Sequence, residues 1–118
     1  MKKLLLVLTV ILIVFSSFQK SRKKNVQTLP FGIQQLIKQY TTEAKANPPR
    51  TIYSYTYSGQ TVYYVTAPCC DFFTDLYDSK GKLMGHPSGG FTGRGDGNFA
   101  DFDAKKTKEK IVWTDKRK

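Results

Sequence analysis

The sequence has few of the side chains that usually carry catalysis or bind metals. Its 118 residues include two cysteines, Cys69 and Cys70, and one histidine, His86. Two cysteines exclude a pair of intramolecular disulfides and a four-cysteine zinc site. Because they are adjacent, they also lack the two-residue spacing of a Cys-x-x-Cys redox motif.

Charge is absent from residues 4–15, a run in which Thr9 is the only polar side chain. Two lysines precede this run and two serines follow it, which is the order of a signal peptide. The run is shorter than the ~20 apolar residues that span a bilayer. We predict that residues 1–18 are a signal peptide and that the protein is periplasmic or secreted. The alternative is an uncleaved N-terminal anchor, because the basic residues of 20–24 resist translocation.

Acidic residues are scarce, at 9 against 19 basic residues, which gives a formal net charge of +10. The basic residues concentrate in 20–24 and 105–118. A basic chain suggests nucleic-acid binding, but no binding motif is present and an exported protein rarely meets nucleic acid. We therefore expect no nucleic-acid partner, and membrane contact only through the N-terminal segment. Adhesion to anionic lipid or polysaccharide, or merely solubilising ends, are the remaining interpretations.

The rest of the composition is that of a folded protein. Hydrophobic residues make up 40% of the chain and charged residues 24%, and there are seven tyrosines and eight phenylalanines. Aromatic side chains bury a large area each, which suits a small core. Since domains commonly have about 100–150 residues, we predict one domain at 28–118, preceded by a flexible basic lead at 19–27.

The first predicted element is a helix over residues 29–46. Apolar residues recur there at i, i+3, i+4 and i+7, which marks one helix face; they are Ile33, Leu36, Ile37 and Tyr40. Thr28 is the candidate N-cap and Pro30 suits the first turn. The prolines at 48 and 49 end the helix.

Two hairpins and a closing strand are predicted next. Residues 51–57 place three tyrosines on one face, a row that can stack sugars but is more typical of half-buried core. Residues 61–66 are apolar on both faces, which predicts a central strand. A second hairpin joins 74–78 to 82–85, with Gly81 at a positive φ in the turn. The strand at 110–114 places Ile111 and Trp113 on one face.

The resulting fold class is α+β. We predict one N-terminal helix packed on a small antiparallel sheet, in the order α-β-β-β-β, with a long glycine-rich loop before the last strand.

An ordered set of motifs runs from Pro-Cys-Cys-Asp to Asp-Phe. It comprises Pro68, Cys69, Cys70, Asp71, Leu76, Tyr77, Asp78, Gly81, Pro87, Gly89, Gly90, Thr92, Gly93, Gly95, Asp96, Gly97, Asp101 and Phe102. It resembles a family of small exported proteins and lipoproteins of Gram-negative bacteria that carry a domain of unknown function. The resemblance covers residues 50–117 and implies a related fold and export, but no activity. It also implies two further cysteines, bridged to the cysteine pair, at the positions of Gly85 and Phe99, and this chain lacks both.

Three states are open to the cysteine pair: a vicinal disulfide, a bridge to another chain, or two buried thiols. We favour buried thiols. A candidate thiol site combines Cys69 or Cys70 as nucleophile with His86 as base and Asp71 or Asp78 as orienting carboxylate. Because His86 falls in a predicted loop and no oxyanion hole is evident, we predict that the protein is not an enzyme.

The glycine-rich loop is the candidate binding loop. Its candidate residues are Gly93, Arg94, Asp96, Asn98, Asp101 and Asp103. The acidic side chains offer oxygen ligands for calcium, but the EF-hand spacing fails at Ala100 and Asp101. We favour tight turns in which aspartates accept hydrogen bonds from backbone amides, and predict no metal and no cofactor.

These observations predict a non-catalytic binding or structural module of the cell envelope, with an envelope protein or a glycan as partner. One alternative is an inhibitor-like protein that presents the loop to a hydrolase. Another is a calcium-binding protein or a minor enzyme that uses cysteine and histidine.

Overall fold

The computed structural model describes residues 28–118; the predicted signal peptide and basic lead lie outside the described residues. In chain order the elements are α1 (Phe31–Thr42), β1 (Thr51–Tyr57), β2 (Gln60–Val65), β3 (Asp75–Tyr77), β4 (Leu83–Gly85), α2 (Phe102–Lys105) and β5 (Thr107–Thr114). Within this part of the chain, none of the helices has the length and apolarity needed to cross a membrane.

The five strands form one antiparallel sheet in the order β4-β3-β2-β1-β5. This confirms the predicted α+β class and both hairpins, and places the doubly apolar strand β2 at the centre of the sheet. Gly81 has the predicted positive φ, at 85°. The sheet contains the five strands predicted individually, although the predicted order α-β-β-β-β counted only four. The four-residue helix α2 lies where only loop was predicted.

Helix α1 is shorter than predicted at both ends. It is capped by Pro30, whose carbonyl oxygen accepts hydrogen bonds from the amides of Ile33 and Gln34, so Thr28 is not the cap. It ends at Thr42 rather than at 46 because Glu43 is extended, with φ −85° and ψ 164°. The predicted apolar face is confirmed, since its four residues all pack on the sheet.

Both faces of the sheet are covered. On one face α1 builds the helix-side cluster, which consists of Ile33, Tyr40, Ile52, Tyr63, Val65 and Tyr77. On the other face lies the loop-side cluster, which consists of Tyr55, Tyr57, Val62, Leu76 and Phe102. The predicted tyrosine row is therefore core, but α2 and the glycine-rich segment cover it, opposite α1. Strict alternation along β1 and β2 divides the apolar side chains between the two faces.

Strand β5 follows β1 with two irregularities. Ile52 pairs with Trp113 while Tyr53 pairs with Ile111, so Val112 is an extra residue in the ladder. Val112 and Trp113 both pack against the helix-side cluster, whereas 60% of Ile111 is exposed. The predicted sharing of one face by Ile111 and Trp113 is therefore wrong, because the bulge resets the alternation between them.

Candidate functional site

The glycine-rich segment, residues 86–101, forms a packed layer that we call the glycine cover. Two backbone hydrogen bonds join it to residues 72–74, which precede β3. The Thr74 amide donates to the Ser88 carbonyl at 3.1 Å, and the Gly90 amide donates to the Phe72 carbonyl at 3.3 Å. The cover also closes on itself, since the Asp96 amide donates to the His86 carbonyl at 2.9 Å. The predicted loop is thus an ordered layer over the sheet.

His86 lies at the start of the cover, beside β3. Its Nδ1 is 2.8 Å from Asp75 Oδ1 and 3.1 Å from the Thr74 carbonyl oxygen. Because the carbonyl can only accept, Nδ1 carries the proton and donates. The ring stacks on Phe73, with centroids 4.9 Å apart. Burial raises the pKa of the Asp75 carboxyl, and the charge of His86 and its hydrogen bond oppose that rise.

The carboxylate that orients His86 is thus Asp75, not the predicted Asp71 or Asp78. Asp78 instead accepts hydrogen bonds from the amides of Lys80 and Lys82 in the β3–β4 turn. Within residues 28–118, neither cysteine forms a hydrogen bond or ion pair with His86. The structure therefore brings together a histidine and a carboxylate, without the predicted thiol.

Ser88 belongs to a second polar group under the cover. Its hydroxyl is 2.9 Å from the hydroxyl of Thr74 and 3.3 Å from that of Tyr64. Thr74 is 7% exposed and also accepts a hydrogen bond from the Ser88 amide. These hydroxyls satisfy one another and hold the cover on the sheet.

The cysteines form a vicinal disulfide. Cys70 is exposed, Cys69 is half-buried, and Cys70 has a φ of 57°. The expectation of two buried thiols is therefore wrong, because the pair lies in the surface loop between β2 and β3, where no core surrounds the sulfurs. Within the described residues there is no free cysteine.

The acidic side chains of the candidate binding loop each have a separate partner. Asp96 accepts hydrogen bonds from the amides of Asn98 and His86, which lower its carboxyl pKa. Asp101 accepts from the Tyr57 hydroxyl at 2.7 Å. Asp103 pairs with Lys106. The favoured interpretation, aspartates accepting from backbone amides, is confirmed for Asp96.

The carboxylates of the candidate binding loop do not form one common set of ligands in the described part of the chain. Nowhere in residues 28–118 do three His, Cys, Asp or Glu side chains converge as metal ligands would. Asp101 and Asp103 are turned toward Lys105 and Lys106, with which they form ion pairs.

Positions 85 and 99 are neighbours. A Cβ at Gly85 would lie 2.6 Å from Cε2 of Phe99. The family resemblance implied that these positions bridge to Cys69 and Cys70, but here the cysteines bond to each other. Phe99 instead packs edge-on against Tyr57, with centroids 6.4 Å apart. An aromatic contact therefore holds this end of the cover.

Three phenylalanines that the sequence analysis did not single out lie at the surface. Phe91 is 95% exposed, Phe72 61% and Phe73 44%. They belong to adjoining segments, since Gly89 forms a bridge with Phe73. We call these three residues the aromatic edge. Phe91 is isolated among glycines and belongs to no apolar period. This is the sequence feature by which it can be recognised.

The tip that carries Phe91 is a closed turn. The Gly93 amide donates to the Gly90 carbonyl, and the amides of Gly89 and Gly95 donate to Gly93 and Gly89 respectively. Arg94 and Gly93 are exposed on the same tip. Among the six predicted loop residues, the exposed ones are Gly93, Arg94, Asp96, Asn98 and Asp103. The carboxylates of Asp96 and Asp101 accept hydrogen bonds from other parts of the domain.

The chain was compared with protein-family models, curated proteins and solved structures. The family described as "Domain of unknown function (DUF6970)" matches residues 38–115. No curated protein and no solved structure matches the chain.

Proposed function

Because the chain belongs to DUF6970, a domain family without an assigned activity, we propose from its geometry that it is a non-catalytic binding module of the cell envelope. Its partner is a protein, which it binds at the aromatic edge. Export follows from the leader at residues 1–18.

The exposure of Phe91 carries this proposal. A side chain that is 95% exposed buries almost no apolar area, so Phe91 contributes little to the stability of the fold. Neighbouring exposed apolar side chains commonly mark interaction sites, and phenylalanine is enriched at the centres of protein interfaces. Phe72 and Phe73 are also exposed, and their segment is hydrogen-bonded to Gly90, the residue before Phe91.

The order of the tip supports binding at low entropic cost. The backbone hydrogen bonds from Gly89, Gly93 and Gly95 fix the turn before any partner arrives. A preorganised loop loses little freedom on association, so more of the contact energy appears as affinity.

A protein partner is favoured over a glycan. The row of tyrosines that could have stacked sugars is packed in the core, where Tyr55 and Tyr57 are 5% and 9% exposed. The phenylalanines that are exposed have no polar atom to pair with sugar hydroxyls. An apolar protein surface complements them better.

A non-catalytic role is favoured because the candidate chemical groups are engaged elsewhere. The cysteines are joined to each other, and His86 is held by Asp75 and covered by Phe73. The inhibitor-like alternative is less favoured, since residues 90–93 close in a turn and not in the extended form that lies along a protease cleft.

Site-specific photo-crosslinking tests the proposal. A photoreactive phenylalanine analogue at position 91 should give one discrete crosslinked product with an envelope protein in intact cells. With that partner purified, Phe91→Ala should weaken binding at least about tenfold, since aromatic anchors cost more than about 1.4 kcal/mol on truncation. The cell fraction that contains the product tests export at the same time.

Phe31 provides the matched control, because it is 74% exposed on α1. The analogue at position 31 should not give the same product. Identical products at both positions, or a partner whose affinity is unchanged by Phe91→Ala, would contradict the proposal.

A further inference from the structure

A small cleft with both polar and apolar lining lies on the α1 face of the sheet, beyond the part that the helix covers. Its volume is about 120 Å³, and strands β1, β2 and β5 form its walls. Its lining includes Leu29, Tyr55, Tyr63 and Val112. Three small hydroxyl side chains and two lysines complete it; they are Ser54, Thr56, Thr61, Lys108 and Lys110. We call these five residues the anion cleft.

The two lysines have no acidic partner in the described part of the chain. Lys105 and Lys106 pair with nearby aspartates, but neither Lys108 nor Lys110 forms an ion pair there. Glu109, which lies between them in sequence, is bound elsewhere, since its Oε1 accepts a hydrogen bond from Tyr55 at 2.6 Å. The cleft therefore holds an uncompensated positive charge.

Its hydroxyls are also free to bind. Among residues 28–118, the side chains of Ser54, Thr56 and Thr61 donate no hydrogen bond. Each hydroxyl can donate one hydrogen bond to an oxygen atom and each lysine up to three. Donors without acceptors, arranged around a small space, suit an oxyanion.

The backbone at Lys108 is unusual. Lys108 has a φ of 55°, in the left-handed region that favours glycine. It lies where the register between β1 and β5 shifts, in the interval between Ser54 and Thr56. Glycine would satisfy that bulge without strain. A strained backbone that retains a long basic side chain at a cleft points to a use for that side chain.

We propose that the anion cleft binds one phosphate group. The cleft volume of about 120 Å³ has room for a tetrahedral oxyanion. Lysine binds phosphate as a point charge, and the hydroxyls complete the contacts. The phosphate belongs either to a soluble ester or to a lipid headgroup.

Titration with inorganic phosphate, followed by NMR, tests the proposal. Amide signals of residues 54–56 and 108–110 should shift together with a millimolar dissociation constant. The double variant Lys108→Ala/Lys110→Ala should weaken binding at least about tenfold. The matched control is Lys80→Ala/Lys82→Ala, which removes the same charge from the β3–β4 turn and should bind phosphate like the wild type.

Lys108→Gly separates binding from folding. It relieves the left-handed strain, so its melting temperature should rise while its phosphate affinity falls. The proposal is overturned if wild-type signals do not move with phosphate, or if either cleft variant binds as tightly as the control.

Vesicles of phosphatidylglycerol identify the source of the phosphate. Vesicle binding that is lost in the double variant and kept in the control assigns the group to a lipid. Phosphate binding in the cleft without cleft-dependent vesicle binding assigns it to a soluble ester.

Discussion

Two glycines of the cover share a backbone conformation but differ in their surroundings. Gly93 has a φ of 73° and no other group within 4 Å of the place where a Cβ would be. Gly95 has a φ of 64°, and a Cβ there would overlap the carbonyl oxygen of His86. The first glycine is required only by conformation, the second also by the close approach of two backbone segments.

Alanine substitutions separate these two causes. Gly93→Ala should lower the free energy of unfolding by about 1–2 kcal/mol, the cost of a left-handed residue. Gly95→Ala should cost about 3 kcal/mol or more, because the cover must also move away from His86. Urea denaturation of both variants measures the difference, and equal losses would show that the overlap is relieved without cost.

The sequence identified His86 as a candidate residue but did not identify its partner. A single histidine next to proline and glycine is visible as a candidate in any sequence. Asp75 lies eleven residues away and meets His86 only because β3 and the start of the cover run side by side. The predicted orienters, Asp71 and Asp78, lie fifteen and eight residues from His86. Asp75 falls between them in sequence, so separation along the chain does not select the partner.

At the scale of elements, the C-terminal residues fasten helix α1. The Arg117 guanidinium donates to the carbonyls of Tyr40, Thr41 and Glu43 at 2.8–3.0 Å, which are the acceptors that a helix end leaves free. Asp115, 4% exposed, holds Arg117 at 2.7 Å. This clasp, formed by Asp115 and Arg117, satisfies carbonyls at the end of α1, which ends at Thr42 before the prolines that were expected to end it.

The clasp predicts a loss of stability in acid. Hydrogen bonds from Arg117 lower the pKa of Asp115 to about 2. A carboxyl whose folded pKa is lowered stabilises the fold above its unfolded pKa, and that contribution is lost as pH falls toward the folded value. The melting temperature should therefore drop between about pH 4 and pH 2.

Asp115→Asn is the comparison for this prediction. Its melting temperature should be lower at pH 7, by roughly 5 °C, and should depend less on pH below 4. Parallel pH profiles for the variant and the wild type would show that Asp115 does not carry the effect.

The elements themselves were largely predictable. The apolar period of α1 and the alternation in β1 and β2 are local patterns, and both hairpins follow them. The bulge at Val112 and the short helix α2 were not predictable, because packing of Trp113 and Phe102 against the sheet selects them.

At the scale of the whole molecule, aromatic packing holds the glycine cover on the sheet, where the family resemblance implied disulfide bonds. Phe102 is 1% exposed and contacts three tyrosine rings at centroid distances of 5.3–5.8 Å. Each such pair adds about 0.5–1.5 kcal/mol beyond its buried area. The cover is thus held on the sheet by side-chain contacts, with the disulfide outside both clusters.

Reduction should consequently have little effect on stability. The Cys69–Cys70 bond has a sequence separation of one, so it restricts the unfolded chain very little. Cys69→Ser/Cys70→Ser should change the free energy of unfolding by no more than about 1 kcal/mol. Thermal unfolding with and without reductant checks this; a large loss in the wild type alone would show that the disulfide secures the cover.

The sequence by itself determined the fold class, the strand pairing of both hairpins and the central place of β2, because these depend on local periodicity and turn residues. Only the tertiary structure decided which side chains meet. It buried the tyrosine row, joined His86 to Asp75, left the aromatic edge exposed and assembled the anion cleft from three strands. Those contacts join side chains from separate segments of the chain, and their distances are set by packing of the whole sheet rather than by any spacing along the chain.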